Sequence, residues 1–229
     1  MTDAAPRLVW LGRRDYLATQ SAMQRFTAER SSRCRDEIWC LEHPAVYTLG
    51  QAGKPDHVLA PGQIPVVRSD RGGQVTYHGP GQLIIYLLLD LRARQLGVRA
   101  LVSLIEQSLI NYLATLSVTA NARDDAPGVY VDGAKIGALG LRVRRGCSYH
   151  GLSLNVTTDL APFAGINPCG HAGLAVTRLA DLAAADCNDL QRVAAAVLAQ
   201  LLPLLGHPPT IDWAHDTAAL AMTGEHTHE

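Results

Sequence analysis

The feature that most constrains how this chain folds is Leu83-Ile-Ile-Tyr-Leu-Leu-Leu-Asp-Leu91. It is nearly all apolar, of strand length, and does not alternate with polar residues. A strand of that kind has to be covered on both faces, so it predicts a central strand between two packing layers. Tyr86 and Asp90 interrupt it, and no apolar run in the chain reaches the roughly 18 residues of a membrane span.

Other elements fall around it. Residues 16–30 predict a helix with Tyr16, Met23 and Phe26 toward the core. Glu37 to Leu41 and Ile64 to Arg68 predict short strands. In residues 99–118, Leu101, Leu104, Ile105, Leu109, Tyr112, Leu113 and Leu116 recur at three- and four-residue intervals, with Glu106 and Asn111 facing outward. The middle of the chain predicts a meander. Gly128 to Val131 meets the favoured two-residue turn Asp132-Gly133, a second strand runs from Ala134 to Arg144, and Arg145-Gly146 turns into a third from Cys147 to Val156. A last helix spans 188–205, with Asn188 as N-cap and Gly206 just past its end. The expectation is an α+β fold: one domain over 1–210, a mixed sheet with helices packed on it, and a loosely held polar tail over 211–229.

Composition narrows the function. With 48% hydrophobic and 18% charged residues the chain is not disordered, and a net charge of −1 gives no global field toward nucleic acid or anionic membrane. The N-terminus lacks a signal pattern, so a cytoplasmic protein is expected. The five cysteines, Cys34, Cys40, Cys147, Cys169 and Cys187, form no C-x-x-C pair, which argues against a disulfide framework or a zinc knuckle. No metal and no cofactor are expected.

Three segments carry chemistry. Cys169 stands in a loop between Pro168 and Gly170, outside any helix or strand pattern. Its context leaves two readings, a turn residue that happens to be a thiol and a nucleophile. Lys135 starts a strand in which alternation places it with Gly137, Leu139, Leu141 and Val143. It is either an edge lysine reaching water or a half-buried ammonium opposite the thiol. A cation that lowers a thiol pKa by about two units contributes roughly 2.7 kcal/mol toward the thiolate. The third segment, Arg71-Gly-Gly-Gln-Val-Thr-Tyr-His78-Gly-Pro-Gly-Gln82, is a glycine-rich loop able to present backbone N–H groups to an oxyanion. It matches neither a P-loop nor a dinucleotide fingerprint. His78 reads as lining the site.

Taken together, these residues resemble the octanoyl (lipoyl) transferases. The resemblance rests on His43-Pro-Ala-Val-Tyr-Thr-Leu-Gly50, Arg71 to Gln82, Pro127-Gly-Val-Tyr130, Lys135-Ile136, Leu139-Gly140-Leu-Arg142, His150-Gly-Leu-Ser153, Asn155-Val156 and Ile166-Asn-Pro-Cys-Gly170. It implies a fold shared with the catalytic domains of biotin-protein and lipoate-protein ligases. It implies Cys169 as the acyl-bearing nucleophile and Lys135 as its activator. It also implies an acyl site lined by Arg71, Gly72, Gly73, Gln74, Val75, Thr76, Tyr77 and His78, by Ala138, Leu139 and Gly140, and by Gly151, Leu152 and Ser153.

The expected reaction moves octanoyl from octanoyl-acyl carrier protein through a Cys169 thioester to the lysine of a lipoyl domain. The acceptors would be 2-oxoacid dehydrogenase complexes and the glycine-cleavage H protein. Rivals are an ATP-dependent lipoate-protein ligase on the same fold, an inert lipoyl-domain-binding module, and a Cys169–histidine dyad drawing on His78, His150 or His171. Basic residues cluster at Arg142, Arg144 and Arg145 and at Arg92, Arg94 and Arg99, which suggests a patch steering acidic carriers.

Overall fold

The computed structural model describes residues 4–31, 34–170, 173–183 and 187–214, without the side chain of Cys169. Its strands and helices run in the order β1 (Arg7–Arg13), α1 (Tyr16–Glu29), β2 (Glu37–Glu42), β3 (Val46–Leu49), β4 (Val66–Arg68), β5 (Val75–His78), β6 (Gln82–Leu88), α2 (Val98–Thr115), β7 (Asn121–Ala122), β8 (Gly128–Val131), β9 (Ala134–Arg144), β10 (Cys147–Asn155) and α3 (Leu190–Leu204). Seven strands form one sheet in the order β1-β2-β6-β10-β9-β8-β7, and β4-β3-β5 form a second, small sheet. In the large sheet only β1 and β2 are parallel; the other pairs are antiparallel. The result is a mixed sheet with helices packed on it.

The apolar run sits in β6, third in the sheet and paired on both edges. Alternation divides its side chains between two cores. Leu83, Ile85, Leu87 and Leu89 join the cluster built by α2 and α3, while Ile84, Tyr86 and Leu88 join a second cluster with Ala22 and Met23 of α1. A strand dressed on both sides in this way has no position left for a solvent-facing residue. The small sheet lies over the α1 side with its own cluster, including Tyr47, Val75, Tyr77 and Phe163.

Several local expectations change. Glu106 does not face away: it is half-buried, and its carboxylate accepts from Gly128 N–H at 2.9 Å. The cap of α3 is Asp189, whose side chain accepts from Gln191 and Arg192 N–H, in place of Asn188 one residue earlier. Strands β1, β3, β5 and β7 had no sequence signal strong enough to predict them. Residues 211–214 are not loose. Trp213 bridges Leu8, Ala214 N–H donates to Leu8 O at 2.8 Å, and Trp213 packs edge-on against Trp10 at 6.2 Å. Alternating Ile211 and Trp213 thus cover the exposed edge of β1. Residues 215–229 lie outside the described residues.

Candidate active site

A groove runs between the α1-side face of the large sheet and β5 of the small one. One part is lined by Tyr16, Arg71, Gly73, Gln74, Val75, Thr76, His78, Ile84, Tyr86, Ala138, Leu139, Gly140, His150, Gly151, Leu152 and Ser153, and holds about 500 Å³ of space including its mouth. A second part is lined by Lys135 with Thr76, Gln82, Ala138, Ser153, Asn155, Phe163, Pro168 and Val176. Thr76, Ala138 and Ser153 belong to both and form the neck between them.

Arg71 builds one wall. Its guanidinium donates to Thr48 O, Thr48 Oγ1, Gly72 O and Gln74 O at 2.7–3.0 Å, and it is buried. These bonds fasten the 71–74 loop to β3, so Arg71 shapes the loop before it can touch any ligand. Gly72 N–H donates to Leu141 O at 3.0 Å, which hooks the loop to β9.

At the other end stands Lys135, only 4% exposed. Strict alternation does not hold there. Val129 pairs with Gly137 but Tyr130 pairs with Lys135, so Ile136 is a bulge residue without a partner on β8. The extra residue turns Ile136, Leu139, Leu141 and Val143 toward the helix-side core and leaves Lys135 on the groove side, with Ala138. The ammonium donates to Pro127 O at 3.1 Å and lies 5.1 Å from the Tyr130 ring centre. Gly128, at φ +145°, is required twice over. Its backbone sits in a region that favours glycine, and a Cβ there would lie 2.9 Å from Lys135 Cε.

The chain returns to Lys135 after Cys169. Lys135 N–H donates to Ala175 O and its carbonyl accepts from Thr177 N–H, at 2.8 and 3.0 Å. Upstream, Pro168 lines the Lys135 cavity, and the short 3-10 turn Pro168–Gly170 packs Gly170 against the Gln74 side chain. Cys169 is therefore bracketed by two residues at the groove, while its side chain lies outside the described residues.

The far end is a cluster of buried rings. Tyr16 stacks on His78, with His43 and Tyr86 edge-on or tilted around them. His43 Nε2 meets Tyr86 Oη at 2.8 Å, His78 Nδ1 meets Gln82 Oε1 at 2.7 Å, and His150 Nε2 meets Asp70 Oδ1 at 2.9 Å. Burial lowers the pKa of His43 to about 4 and depresses His78 and His150 below the ordinary imidazole range. Burial pushes Asp70 upward, but hydrogen bonds from His150 and Tyr149 outweigh it and hold the carboxyl well below its usual range. Burial also raises Tyr16 and Tyr86. The rings are neutral at pH 7.

Of the residues expected in the acyl site, Arg71, Gly73 to Thr76, His78, Ala138 to Gly140 and Gly151 to Ser153 border one cavity, although Leu139 and Leu152 pack their side chains with the helix-side core. Gly72 and Tyr77 do not line it; Tyr77 points into the small-sheet core against Tyr47 and Phe163. Tyr16, Ile84 and Tyr86 also line the cavity and escaped the sequence reading. The one available signal was Tyr86, a lone hydroxyl in an otherwise apolar strand. Neither His78 nor His150 lines the Lys135 cavity, which weakens both as dyad partners, and His171 lies outside the described residues. Among the described residues no group of three metal-ligating side chains occurs.

The basic cluster is elsewhere. Arg144 lies at the opposite end of β9 from Lys135, about 30 Å away at roughly 3.3 Å per residue. There Leu91 N–H donates to Gly146 O, and Arg92 lies close over Gly146, so Arg92 and the Arg144-Arg145 turn are neighbours. A carrier held at that patch would be a full strand length from the groove's Lys135 end.

Residues 15–202 match the family described as the lipoyl protein ligase A/B catalytic domain. An octanoyltransferase of Alkalilimnicola ehrlichii is 61% identical over 182 residues, which cover 80% of this chain and 84% of the relative. A putative lipoate protein ligase from T. acidophilum has a similar structure, with a TM-score of 0.74 at 14% identity over 96% of this chain and 93% of its own. The biotin protein ligase of Aquifex aeolicus gives a TM-score of 0.53 at 14% identity, over 89% of this chain and 70% of that one. The α+β fold is thus the one these ligase catalytic domains share.

Proposed function

The chain belongs to the lipoyl protein ligase A/B catalytic domain family, and we propose that it is an octanoyltransferase of protein lipoylation working through a thioester on Cys169. The donor is octanoyl-acyl carrier protein and the acceptor a lysine ε-amine on a lipoyl domain. The observation that carries this reading is the placement of Lys135. A buried ammonium opens onto the same groove as Pro168, the residue before Cys169, and an apolar cavity leads away from both.

The reaction balances with these two side chains. Paired with the Lys135 ammonium, Cys169 is held as a thiolate. It attacks the donor carbonyl carbon, the carrier's C–S bond breaks, and the departing thiolate takes a proton from Lys135. The products are an octanoyl-Cys169 thioester, a free carrier thiol and a neutral Lys135. Without its counter-ion, a buried lysine holds its proton less firmly. The neutral acceptor amine then attacks the thioester and gives its proton to Lys135. The amide forms, the Cys169 thiolate leaves, and the starting ion pair is restored. A thioester is already activated, so no nucleotide is needed.

Backbone N–H groups around Cys169 and the 71–74 loop are the candidates for stabilising the tetrahedral oxyanion. The acyl chain occupies the cavity beyond the neck. Burying seven carbons at about 0.8 kcal/mol each gives about 6 kcal/mol of binding.

The test is transfer from octanoyl-acyl carrier protein to an unmodified lipoyl domain in nucleotide-free buffer, read by the mass of the acceptor. Acceptor mass should rise by one octanoyl group with wild type and not with Cys169→Ala. A requirement for ATP would turn the reading to the ligase alternative.

A further inference from the structure

The peptide unit between Pro127 and Gly128 has both of its polar groups engaged. Its carbonyl accepts from Lys135 Nζ at 3.1 Å, and its N–H donates to Glu106 Oε1 at 2.9 Å. A trans peptide points these two groups in opposite directions. The unit therefore stands between the ammonium of the groove and a carboxylate on α2, the helix that packs on the sheet's other face.

This peptide has little freedom to turn. Tyr130 Oη donates to Ala126 O at 2.7 Å, which pins the chain just before it. Gly128 pairs with Ala138 on β9, and a Cβ there would lie 2.8 Å from Gly137 O and 2.9 Å from Lys135 Cε. Only a glycine lets the backbone come this close to the lysine.

The nitrogen and oxygen of one peptide lie about 2.3 Å apart, so the two bonds place Glu106 within about 8 Å of Lys135 Nζ. At that separation in a partly buried site, a carboxylate raises the proton affinity of an amine by roughly tenfold. A carboxylate bound to the N–H also polarises the amide and makes its carbonyl a better acceptor. Burial raises the Glu106 carboxyl, the Gly128 N–H and Lys135 oppose that rise, and Asp124 adds to it. The other groups around Lys135 are the Tyr130 ring, over which Arg123 also lies, and the uncharged Thr76, Gln82, Ser153 and Asn155. Arg123 is paired with Asp125.

One step of the reaction needs this carboxylate. Once Cys169 is acylated, Lys135 has lost the thiolate and still has to take a proton from the attacking amine. A buried lysine without a counter-charge is a weak base. Resting on the acyltransferase reading above, we infer that Glu106 is a positioning residue for that step: through the Pro127–Gly128 peptide it holds Lys135 in the groove and keeps it basic enough to accept the proton. Glu106 lines neither part of the groove, so it acts only through Lys135.

The chain holds two lysines, Lys135 and the exposed Lys54, so lysine isotopically labelled at Cε gives two resonances, one of them an internal control. An NMR titration of Cys169→Ala, which removes the thiolate partner, reads the Lys135 midpoint without any acyl transfer. Adding Glu106→Gln keeps an acceptor oxygen for Gly128 and removes the charge. It should lower the Lys135 midpoint by about one pH unit, a tenfold loss of proton affinity, and leave Lys54 unmoved. An unchanged Lys135 midpoint would overturn the inference. With Cys169 intact, single-turnover measurements on Glu106→Gln should show amide formation slowed several-fold more than acylation. Equal slowing of both halves would overturn the inference too, since Glu106 would then only support the fold. Should Glu106→Gln not fold, the Cys169→Ala protein decides: its Lys135 resonance must show a second inflection at the midpoint of the Glu106 carboxyl carbon, and a single step sinks the inference. Octanoyl transfer by wild type is measured separately, so its absence would remove the acyltransferase reading and leave the coupling of Glu106 to Lys135 to the titration.

Discussion

Ala138→Leu should abolish the selection of long acyl chains while sparing short ones. Ala138 is half-buried and sits at the neck, where it borders both the Lys135 cavity and the apolar cavity beyond it. A leucine there fills the passage with three extra carbons, and Ser153 directly opposite on β10 leaves it little room to turn aside. In wild type, octanoyl buries four more carbons than butanoyl. At about 0.8 kcal/mol each this is about 3 kcal/mol, or a preference of roughly 200-fold in kcat/KM. In Ala138→Leu those carbons have no cavity to enter, and the preference should fall to within a few-fold of one. The assay is amide formation on a lipoyl domain from butanoyl and octanoyl thioesters of the same small thiol. A thermal melt should show a cost of about 1–3 kcal/mol from overpacking. A 200-fold octanoyl preference surviving in a folded variant would refute the reasoning, because the chain would then lie outside this cavity.

Asp36→Ala should lose about 3–5 kcal/mol of stability, seen as a large drop in the denaturant midpoint, because Asp36 is buried between the buried guanidiniums of Arg30 and Arg94; a loss under 1 kcal/mol would show the cluster to be dispensable. Lys135→Arg keeps the cation but cannot take a proton at neutral pH, so single-turnover measurements should show acyl-enzyme forming and amide transfer stalling. Wild-type rates in both halves would reduce Lys135 to a structural residue. Stability should fall with pH below about 6.5, since His43, His78 and His150 are held neutral in the fold and take up protons on unfolding. Each ring contributes up to about 1.4 kcal/mol per pH unit until its folded pKa is reached. The depressed Asp70 keeps its own contribution throughout that window, so a melting temperature flat from pH 7 to 5 would contradict the burial of these rings.

The elements that read clearly in the sequence are those whose pattern is local. Leu83 to Leu91 lacks alternation because β6 is covered on both faces, and the meander announces itself through Asp132-Gly133, both at positive φ in the observed turn. What stayed hidden depends on partners distant in sequence. The bulge at Ile136 arises from how β8 and β9 pair, and it alone moves Lys135 from the helix side, where alternation puts it, to the groove. The small sheet joins β3, β4 and β5 from separated short segments with no run long enough to show a period. Arg71 was expected only as a lining residue, yet its guanidinium also fastens its own loop through Thr48, Gly72 and Gln74. His150 was visible as a motif residue and a possible dyad partner, but neither its φ nor its bond to Asp70 leaves a trace in neighbouring residues.

The central claim is that Cys169 carries the acyl group. The most direct measurement mixes the protein with octanoyl-acyl carrier protein in nucleotide-free buffer, without acceptor, and records the intact mass followed by peptide mapping. The account predicts a gain of one octanoyl group, mapped to Cys169 and released by hydroxylamine, and no gain in Cys169→Ala. An unmodified wild-type protein under conditions where transfer proceeds, or an adduct on any other residue, would contradict it.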